Sequence, residues 1–210
     1  MYCPSHFEEN RPEVLQALVR DHPLCTLVTL GLDGLVANLI PLQLRAGVGE
    51  YGALVGHVAR ANPLWRDTDF SVPALAVFQG PAHYISPSLY PTKREHGKVV
   101  PTWNYAVVQA SGSLQLHHEP EWIRAQVSAL TQKQEASMPA PWSVDDAPRD
   151  YTDALLNALV GIEIPVSRWQ GKWKVSQNQP PVNRVAVAAG LASLPDSQAQ
   201  DMASLVRARG

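Results

Sequence analysis

Two β-rich segments joined by Asp33-Gly34 constrain the fold of this chain more than any other feature. The segments 25–30 and 35–40 are both rich in Val, Leu, Ile and Thr. Asp-Gly between two such runs is the strongest short-range signal for a hairpin, because the tight turn needs residues that accept a positive φ. The sequence therefore predicts an antiparallel hairpin over 25–40, with 42–44 extending its second strand beyond Pro41.

The remaining elements predict an α+β fold. Strands are expected to begin near 54 and to span 74–78, 82–85, 105–111, 161–164 and 173–176, with interruptions at Gly56-His57, Gly80-Pro81 and Gly171. Helices are expected at 10–20, capped by Asn10, at 120–137, and twice in the Ala-rich tail after 182. A further helix is expected from Asp150, with Leu155, Leu156 and Leu159 buried. Strands followed by helices and a returning strand favour an antiparallel sheet or barrel with attached helices over alternating βαβ units.

Composition narrows the class of protein. Apolar residues make up 45% of the chain, which is enough for a core, and the formal net charge is −2. That charge argues against a strongly electrostatic nucleic-acid binder. Cys3 and Cys25 are isolated, so reduced thiols in a soluble cytoplasmic protein are expected. No histidine or cysteine spacing typical of a metal site occurs, and none is predicted.

The stretch 54–65 is the first candidate for a binding site. It sets Gly56, His57, Arg60, Asn62 and Trp65 close together in the sequence. Arginine can hold a phosphate by two parallel hydrogen bonds, and glycine lets a ligand approach the backbone. The stretch therefore predicts an anion-binding turn; the alternative is a strand, a turn and a solvated arginine.

Two further stretches combine aromatic rings with polar side chains. One holds Thr102, Trp103 and Asn104, and the other holds Lys174, Ser176 and Gln177 after Trp173. Aromatic walls, amides and a cation are the groups that a planar heterocycle with a phosphate tail requires. The alternative is that the aromatic residues belong to the core and that the amides satisfy loop backbones.

Six short motifs, in order along the chain, resemble the PaiB-like family of FMN-binding negative transcriptional regulators. They are MYCP at 1–4, GHVARANP at 56–63, FQGP at 78–81, YISP at 84–87, VPTWNY at 100–105 and KVSQN at 174–178. The sequence departs from the family at two positions. Leu89 stands where Trp is common, and Gln179 stands where Arg often follows.

The resemblance implies a split β-barrel like that of pyridoxamine-phosphate oxidase, built as a homodimer with FMN at the subunit interface. It places the phosphate contacts in 56–62, at Arg60 with His57 and Asn62. Residues 102–104, with Lys174, Ser176 and Gln177, would approach the ring, in part from the second subunit. It predicts one split-barrel domain over 1–190, with a helical insertion at about 119–160 and a helical tail at 191–210.

Two functions are open at this point. The resemblance implies repression of bacterial genes, described for sporulation and extracellular-protease genes. DNA contact has little support in the sequence, since Lys93, Arg94 and Lys98 form the only basic cluster and no helix-turn-helix is visible. The alternative is a small FMN-dependent oxidoreductase, or a related split-barrel enzyme acting on haem or a pyridoxal-type ring. No catalytic residue is assigned.

Overall fold

The fold is organised around β-strands, in a computed structural model that describes residues 1–209. The strands are β1 (Glu8–Glu9), β2 (Leu24–Gly31), β3 (Gly34–Pro41), β4 (Gln43–Arg45), β5 (Ala53–Ala59), β6 (Ala74–Ile85), β7 (Thr102–Gly112), β8 (Gln115–His117) and β9 (Leu159–Lys174). Their order is β3-β2-β6-β7-β9-β5-β4, and β1 and β8 also pair with β9. The β2–β3, β2–β6, β4–β5 and β5–β9 pairs are antiparallel.

The described chain also forms α-helices. They are α1 (Pro12–Asp21), α2 (Leu64–Asp67), α3 (Thr92–His96), α4 (Pro120–Glu135), α5 (Arg149–Asn157), α6 (Pro181–Ala192) and α7 (Ser197–Ala208). The predicted helices near 10–20, 120–137 and 150, and the two in the tail, are therefore confirmed. Three details differ. At the start of α1, where Asn10 is the predicted cap, the side chain of Glu9 accepts the Arg11 amide at 2.9 Å. Leu155 is 51% exposed while Leu156 is buried, and Leu159 lies beyond α5 as the first residue of β9.

The predicted hairpin is confirmed. Strands β2 and β3 pair without interruption from Leu24 opposite Pro41 to Gly31 opposite Gly34, and Gly34 has a φ of 118°. Cys25, Leu27 and Thr29 point into the core. The opposite side is largely uncovered; this outer face of the hairpin consists of Leu24, Thr26, Val28 and Leu30 with their partners Leu35, Ala37, Leu39 and Pro41.

Three strand boundaries differ from the sequence prediction. Residues 43–45 do not extend β3; they form the separate strand β4, which pairs with β5. Strand β6 continues through Gly80-Pro81, and β9 continues through Gly171. Both glycines mark close contacts: a Cβ at Gly80 would lie 2.9 Å from Leu18, and one at Gly171 would lie 2.3 Å from Leu15. A glycine that admits a neighbouring side chain cannot be told from a strand-ending glycine by sequence alone.

The chain forms two compact units. The first comprises 1–18, 78–108 and 170–210, and its core includes Phe78, Ile85, Trp173, Leu191 and Met202. The second comprises 19–77 and 109–169, and its core includes Leu27, Leu42, Leu54, Ile123 and Ile162.

Both cysteines are free, and no described helix could cross a membrane. Cys25 is fully buried in the second unit, and burial raises the pKa of its thiol to about 12. The thiolate needed for nucleophilic chemistry is therefore negligible at neutral pH. Among residues 1–209, no helix is both long and apolar enough to span a bilayer.

Candidate functional site

Gly56 and His57 lie inside a strand rather than in a turn. They pair with Ile162 and Gly161 of β9, so the predicted turn at this position is wrong and the chain turns after Ala59. A Cβ at Gly56 would lie 2.6 Å from the Leu42 side chain. The close approach that Gly56 permits is therefore with the protein's own chain.

Arg60 begins the turn, and hydrogen bonds to other residues of the second unit fix it in place. Its Nε donates to the carbonyl of Asn157 at 2.9 Å, and its Nη2 donates to the carbonyl of Leu159 at 2.8 Å. Its backbone amide also donates to Ala158, at 2.7 Å. The guanidinium thus links the end of α5 to the start of β9. Its half-buried charge is therefore held at the end of β5.

Asn62 connects the turn to the hairpin. Its Oδ1 accepts the Leu64 amide at the start of α2, and its Nδ2 donates to Oδ1 of Asn38, both at 2.9 Å. Within the described chain, the buried Nδ2 of Asn38 has no hydrogen-bond partner. A buried amide donor without an acceptor is unfavourable, so this atom marks a place where an acceptor oxygen would be stabilised.

Trp65 and His57 complete the group around the turn. Trp65 donates through Nε1 to the carbonyl of Arg60 at 2.9 Å and meets His118 edge to face, with ring centroids 5.6 Å apart. His57 Nδ1 lies 2.7 Å from Oε1 of Gln126 on α4. With the Gln126 oxygen as the acceptor, this imidazole nitrogen is the donor of the hydrogen bond.

The first unit brings the other two predicted stretches together. Lys174 donates to the hydroxyl of Thr102, and Asn104 Nδ2 donates to Oγ of Ser176 at 2.8 Å. Ser176 has a φ of 69°, which turns the chain sharply at the end of β9. The structure brings these two stretches together, although their residues are 72 positions apart.

This cluster also has a buried acceptor atom without a donor among the described residues, and it has two exposed aromatic rings. Asn104 is almost wholly buried, and its Oδ1 has no donor among residues 1–209. Trp103 faces the other way, is 57% exposed, and meets Tyr84 edge to face with centroids 6.0 Å apart. Gln177 is committed locally, since its Oε1 accepts the Val175 amide at 2.7 Å and its Nε2 donates to Trp173.

The two positions that depart from the family motif have structural partners. A Cβ on Gly190 of α6 would lie 2.6 Å from the side chain of Leu89, so Leu89 packs directly against that helix. Gln179 accepts a hydrogen bond from Asn183 at 3.1 Å, and Asn183 bonds in turn to Thr92. Both residues connect α6 to the preceding loops.

Two residues of these groups were missed by the sequence analysis. Asn38 is the single amide in the apolar run 35–40, which was a usable signal, because a polar residue inside a strand needs a partner. Gln126 lies on a helix at a position that reads as an ordinary polar residue. Only the fold places it against His57.

The fold class is an α+β split barrel. Among solved structures, the chain resembles the FAD and heme binding protein from Mycobacterium smegmatis, with a TM-score of 0.57 and 17% sequence identity over 80% of this chain and 73% of that one. A family model described as "Putative FMN-binding domain" matches residues 1–168. The chain belongs to this FMN-binding family, and its cofactor is FMN.

Two relatives match nearly the full length. An uncharacterized protein from Emericella nidulans is 33% identical over 100% of this chain and 98% of its own length. Protease synthase and sporulation protein PAI 2 from Bacillus subtilis is 30% identical over 98% of this chain and 96% of its own length. The resemblance to the PaiB-like family is confirmed, and relatives occur in fungi as well as in bacteria.

The residues present fit the chemistry of FMN. A flavin mononucleotide has a charged phosphate, whose oxygens accept hydrogen bonds, and a planar ring whose edge both donates and accepts. The second unit offers the Arg60 charge and the unused donor of Asn38. The first unit offers the Lys174 ammonium and the unused acceptor of Asn104.

Proposed function

We propose that this protein is a PaiB-type negative transcriptional regulator that binds FMN as a homodimer in the cytoplasm. The name of the Bacillus subtilis relative, which refers to protease synthesis and sporulation, supports the regulatory role. The observation that carries the binding site is that two buried amide atoms, Asn38 Nδ2 and Asn104 Oδ1, have no hydrogen-bond partner among residues 1–209. Each atom requires a ligand group of the opposite hydrogen-bonding type.

We assign the phosphate of FMN to the second unit. Arg60 supplies the positive charge, and Asn62 with Asn38 supplies amide donors beside it. His57, Gly56 and Trp65 hold the strand end and the turn in place. Because Arg60 is already bonded to two carbonyls, its charge is pre-positioned and little side-chain entropy would be lost on binding.

We assign the isoalloxazine ring to the first unit of the partner subunit. Asn104 offers its free Oδ1 to a ring N–H, and Lys174, held by Thr102, places a cation at the ring edge. Ser176 and Gln177 fix the turn, and Trp103 contributes an exposed aromatic surface. When bound, FMN supplies a redox-active ring, while these residues position it and exclude water.

The outer face of the hairpin supports the homodimer. Leu24, Leu35 and Leu39 are 60%, 79% and 71% exposed, and β3 is the last strand on its side of the sheet. An exposed apolar face on an edge strand is typical of a protein–protein contact. A second copy of this chain is the partner that we propose for it.

Replacing Asn62 with Asp tests the phosphate assignment. Asp keeps the oxygen that accepts the Leu64 amide, so the turn should fold, but it removes the donor to Asn38 and puts a negative charge beside the phosphate. We expect FMN affinity to fall at least about tenfold, roughly 1.4 kcal/mol, by fluorescence titration. Asn10→Asp, on an exposed residue, is the control and should bind FMN normally. A wild-type protein that is colourless after purification and takes up no added FMN would overturn the proposal.

Direct repression predicts that the FMN-loaded protein retains duplex DNA at low salt. The basic residues Lys93, Arg94 and Lys98 are exposed, and a dimer would carry two such clusters. We expect retention in a mobility-shift assay at about 50 mM salt, where phosphate contacts are strongest, and loss when all three become Gln. No retention would rule out direct DNA contact.

Bleaching of the flavin band by NADH or NADPH under anaerobic conditions would instead assign an oxidoreductase.

A further inference from the structure

A cavity of about 510 Å³ lies in the second unit, and its lining includes neither Arg60 nor the other residues of the turn after Ala59. It opens between α4 and the β4–β5 pair, and Gln43, Arg45, Gln126 and Lys133 line it together with Arg20 from the end of α1. This volume is within the range of sites that bind small molecules. None of its cations belongs to the clusters assigned to FMN.

The cavity carries three positive charges from separate parts of the chain. Lys133 is held over it by donating to the carbonyl of Arg20, at 3.2 Å. Neither Arg20 nor Lys133 forms an ion pair anywhere in residues 1–209. Three like charges facing one recess repel each other unless a counter-ion is present, so the arrangement attracts anions.

Only the third cation is partly neutralised. Arg45 Nη1 lies 3.7 Å from Oε2 of the buried Glu163, and the Arg45 guanidinium also stands over the ring of Trp122. Glu163 is shared with His117, whose Nε2 is 3.0 Å away. The recess therefore keeps a net positive charge even when Glu163 is counted against Arg45.

An unsatisfied amide donor provides an independent indication of a ligand. Gln126 is 2% exposed and uses its Oε1 for His57, while its buried Nε2 has no partner in the part of the chain that the structure describes. Because its Oε1 is bonded to His57, the Nε2 of this lining residue is the end of the amide left without a partner. An anion in this cavity would bring acceptor oxygens to a site lined by this unused donor and by the three cations.

We propose that this cavity binds the phosphoryl group of a small phosphate ester. Phosphoryl oxygens accept several hydrogen bonds at once, and they match the planar donor fork of Arg20 and Arg45. The apolar part of the lining, which includes Leu44 and Val55, would contact the organic portion of the ligand. The site is additional to that for FMN and does not depend on the proposed regulatory role.

Calorimetric titration of the FMN-loaded full chain tests this site. The probes are inorganic phosphate, pyrophosphate and ribose 5-phosphate, at low salt and matched ionic strength. We expect binding of phosphoryl compounds with no change in the flavin spectrum. Tighter binding of ribose 5-phosphate than of inorganic phosphate would identify an ester as the ligand, and equal binding would identify free phosphate; both results support the site.

Two variants separate this cavity from other anion sites. The double variant Arg20→Gln/Lys133→Gln should weaken binding at least about tenfold, because it removes both unpaired cations. Gln126→Glu keeps the oxygen that faces His57 but replaces the unused donor with an acceptor, and it should abolish binding while circular dichroism shows a folded chain. Arg207→Gln, on the exposed surface of α7, is the control and should bind normally.

Four results would overturn the proposal. The first is the absence of binding heat with every phosphoryl probe, and the second is equal binding by wild type and Arg20→Gln/Lys133→Gln. The third is release of FMN during the titration, which would place the probe at the flavin phosphate site. The fourth is binding of a duplex DNA fragment by wild type but not by the double variant, while none of the small probes binds. That result would identify a nucleic-acid surface instead. Because every arm starts from FMN-loaded protein, failure of this site is distinguishable from failure to bind FMN.

Discussion

Replacing Leu35 and Leu39 together with glutamate is expected to split the proposed homodimer into monomers and, because the ring site is assigned to the partner subunit, to release FMN. Both side chains project from the outer face of the hairpin and are 79% and 71% exposed in the single chain. Burying a leucine side chain contributes about 1.5–3 kcal/mol, and a dimer that uses this face buries each of them twice. Glutamates at the same positions would have to be desolvated without partners.

The expected effect on association is large, and the effect on folding is small. We expect the dimer dissociation constant to rise at least about a hundredfold, roughly 3 kcal/mol. Substitutions at exposed positions usually change the free energy of unfolding by no more than about 0.5 kcal/mol. Sedimentation velocity measures the mass of the particle, and urea denaturation at a fixed protein concentration checks that the monomer is folded.

A matched control comes from another exposed leucine of the same unit. Leu155 on α5 is 51% exposed and lies outside the hairpin, so Leu155→Glu should leave both the dimer and the bound FMN unchanged. A wild-type chain that sediments as a monomer would contradict the dimer itself. A dimer that survives Leu35→Glu/Leu39→Glu would place the interface on another surface.

The elements that the sequence predicted well are those with local causes. The hairpin follows from turn chemistry at Asp33-Gly34, and helices α4 and α5 follow from the spacing of apolar residues and from the proline-rich segment between them. Strand β4 was not predicted, because the three residues of 43–45 read as a continuation of β3. Their pairing with β5 depends on contacts distant in sequence.

Glycine was the main source of error in predicting strands. Gly56, Gly80 and Gly171 were all expected to end or turn a strand, and all three lie within one. Each leaves room for a side chain from elsewhere: Leu42, Leu18 and Leu15, respectively. The sequence shows that a side chain is missing at these positions, but the neighbour that fills the space is determined by tertiary packing.

The candidate site was predicted only in part, because some of its contacts are determined by tertiary packing. Short motifs identified the residues of 102–104 and 174–177, and their contacts through Thr102 and Ser176 follow from the pairing order of β7 and β9. The binding of Arg60 to two carbonyls of the α5–β9 junction was not foreseeable, because it depends on where a helix nearly 100 residues away ends. The cluster of Arg20, Arg45 and Lys133 could not be predicted either, because these residues are far apart in the sequence and only the fold brings them to one cavity.

The second large expected effect concerns Glu9, a buried carboxylate of the first unit. Glu9 is 2% exposed and accepts hydrogen bonds from the Arg11 side chain at 2.7 and 3.0 Å, from the Arg11 amide at 2.9 Å, and from Arg209. Burial alone would raise the pKa of Glu9, but these hydrogen bonds and charges outweigh it and lower the pKa to about 2. The ionised carboxylate thereby joins the start of α1 to the end of α7.

The depressed pKa predicts how stability depends on pH. A carboxyl whose pKa falls on folding from its ordinary value of 4.5 to about 2 stabilises the folded state by about 3 kcal/mol at neutral pH. Because the unfolded chain binds this proton more readily, the contribution is fully present above pH 4.5 and is lost as the pH falls towards 2. Glu9→Gln should therefore lower the free energy of unfolding by about 3 kcal/mol at pH 7 and show a shallower loss of stability in acid.

Urea denaturation of wild type and Glu9→Gln across this pH range measures the difference directly. The adjacent Glu8 is exposed, so Glu8→Gln is the matched control and should follow wild type at every pH. Other carboxyls titrate in the same range, but they are common to both proteins and cancel in the difference between the two curves. A difference that stays constant from pH 7 to pH 2 would mean that Glu9 stabilises the chain by packing rather than by its charge, because only the ionised form can hold both arginines.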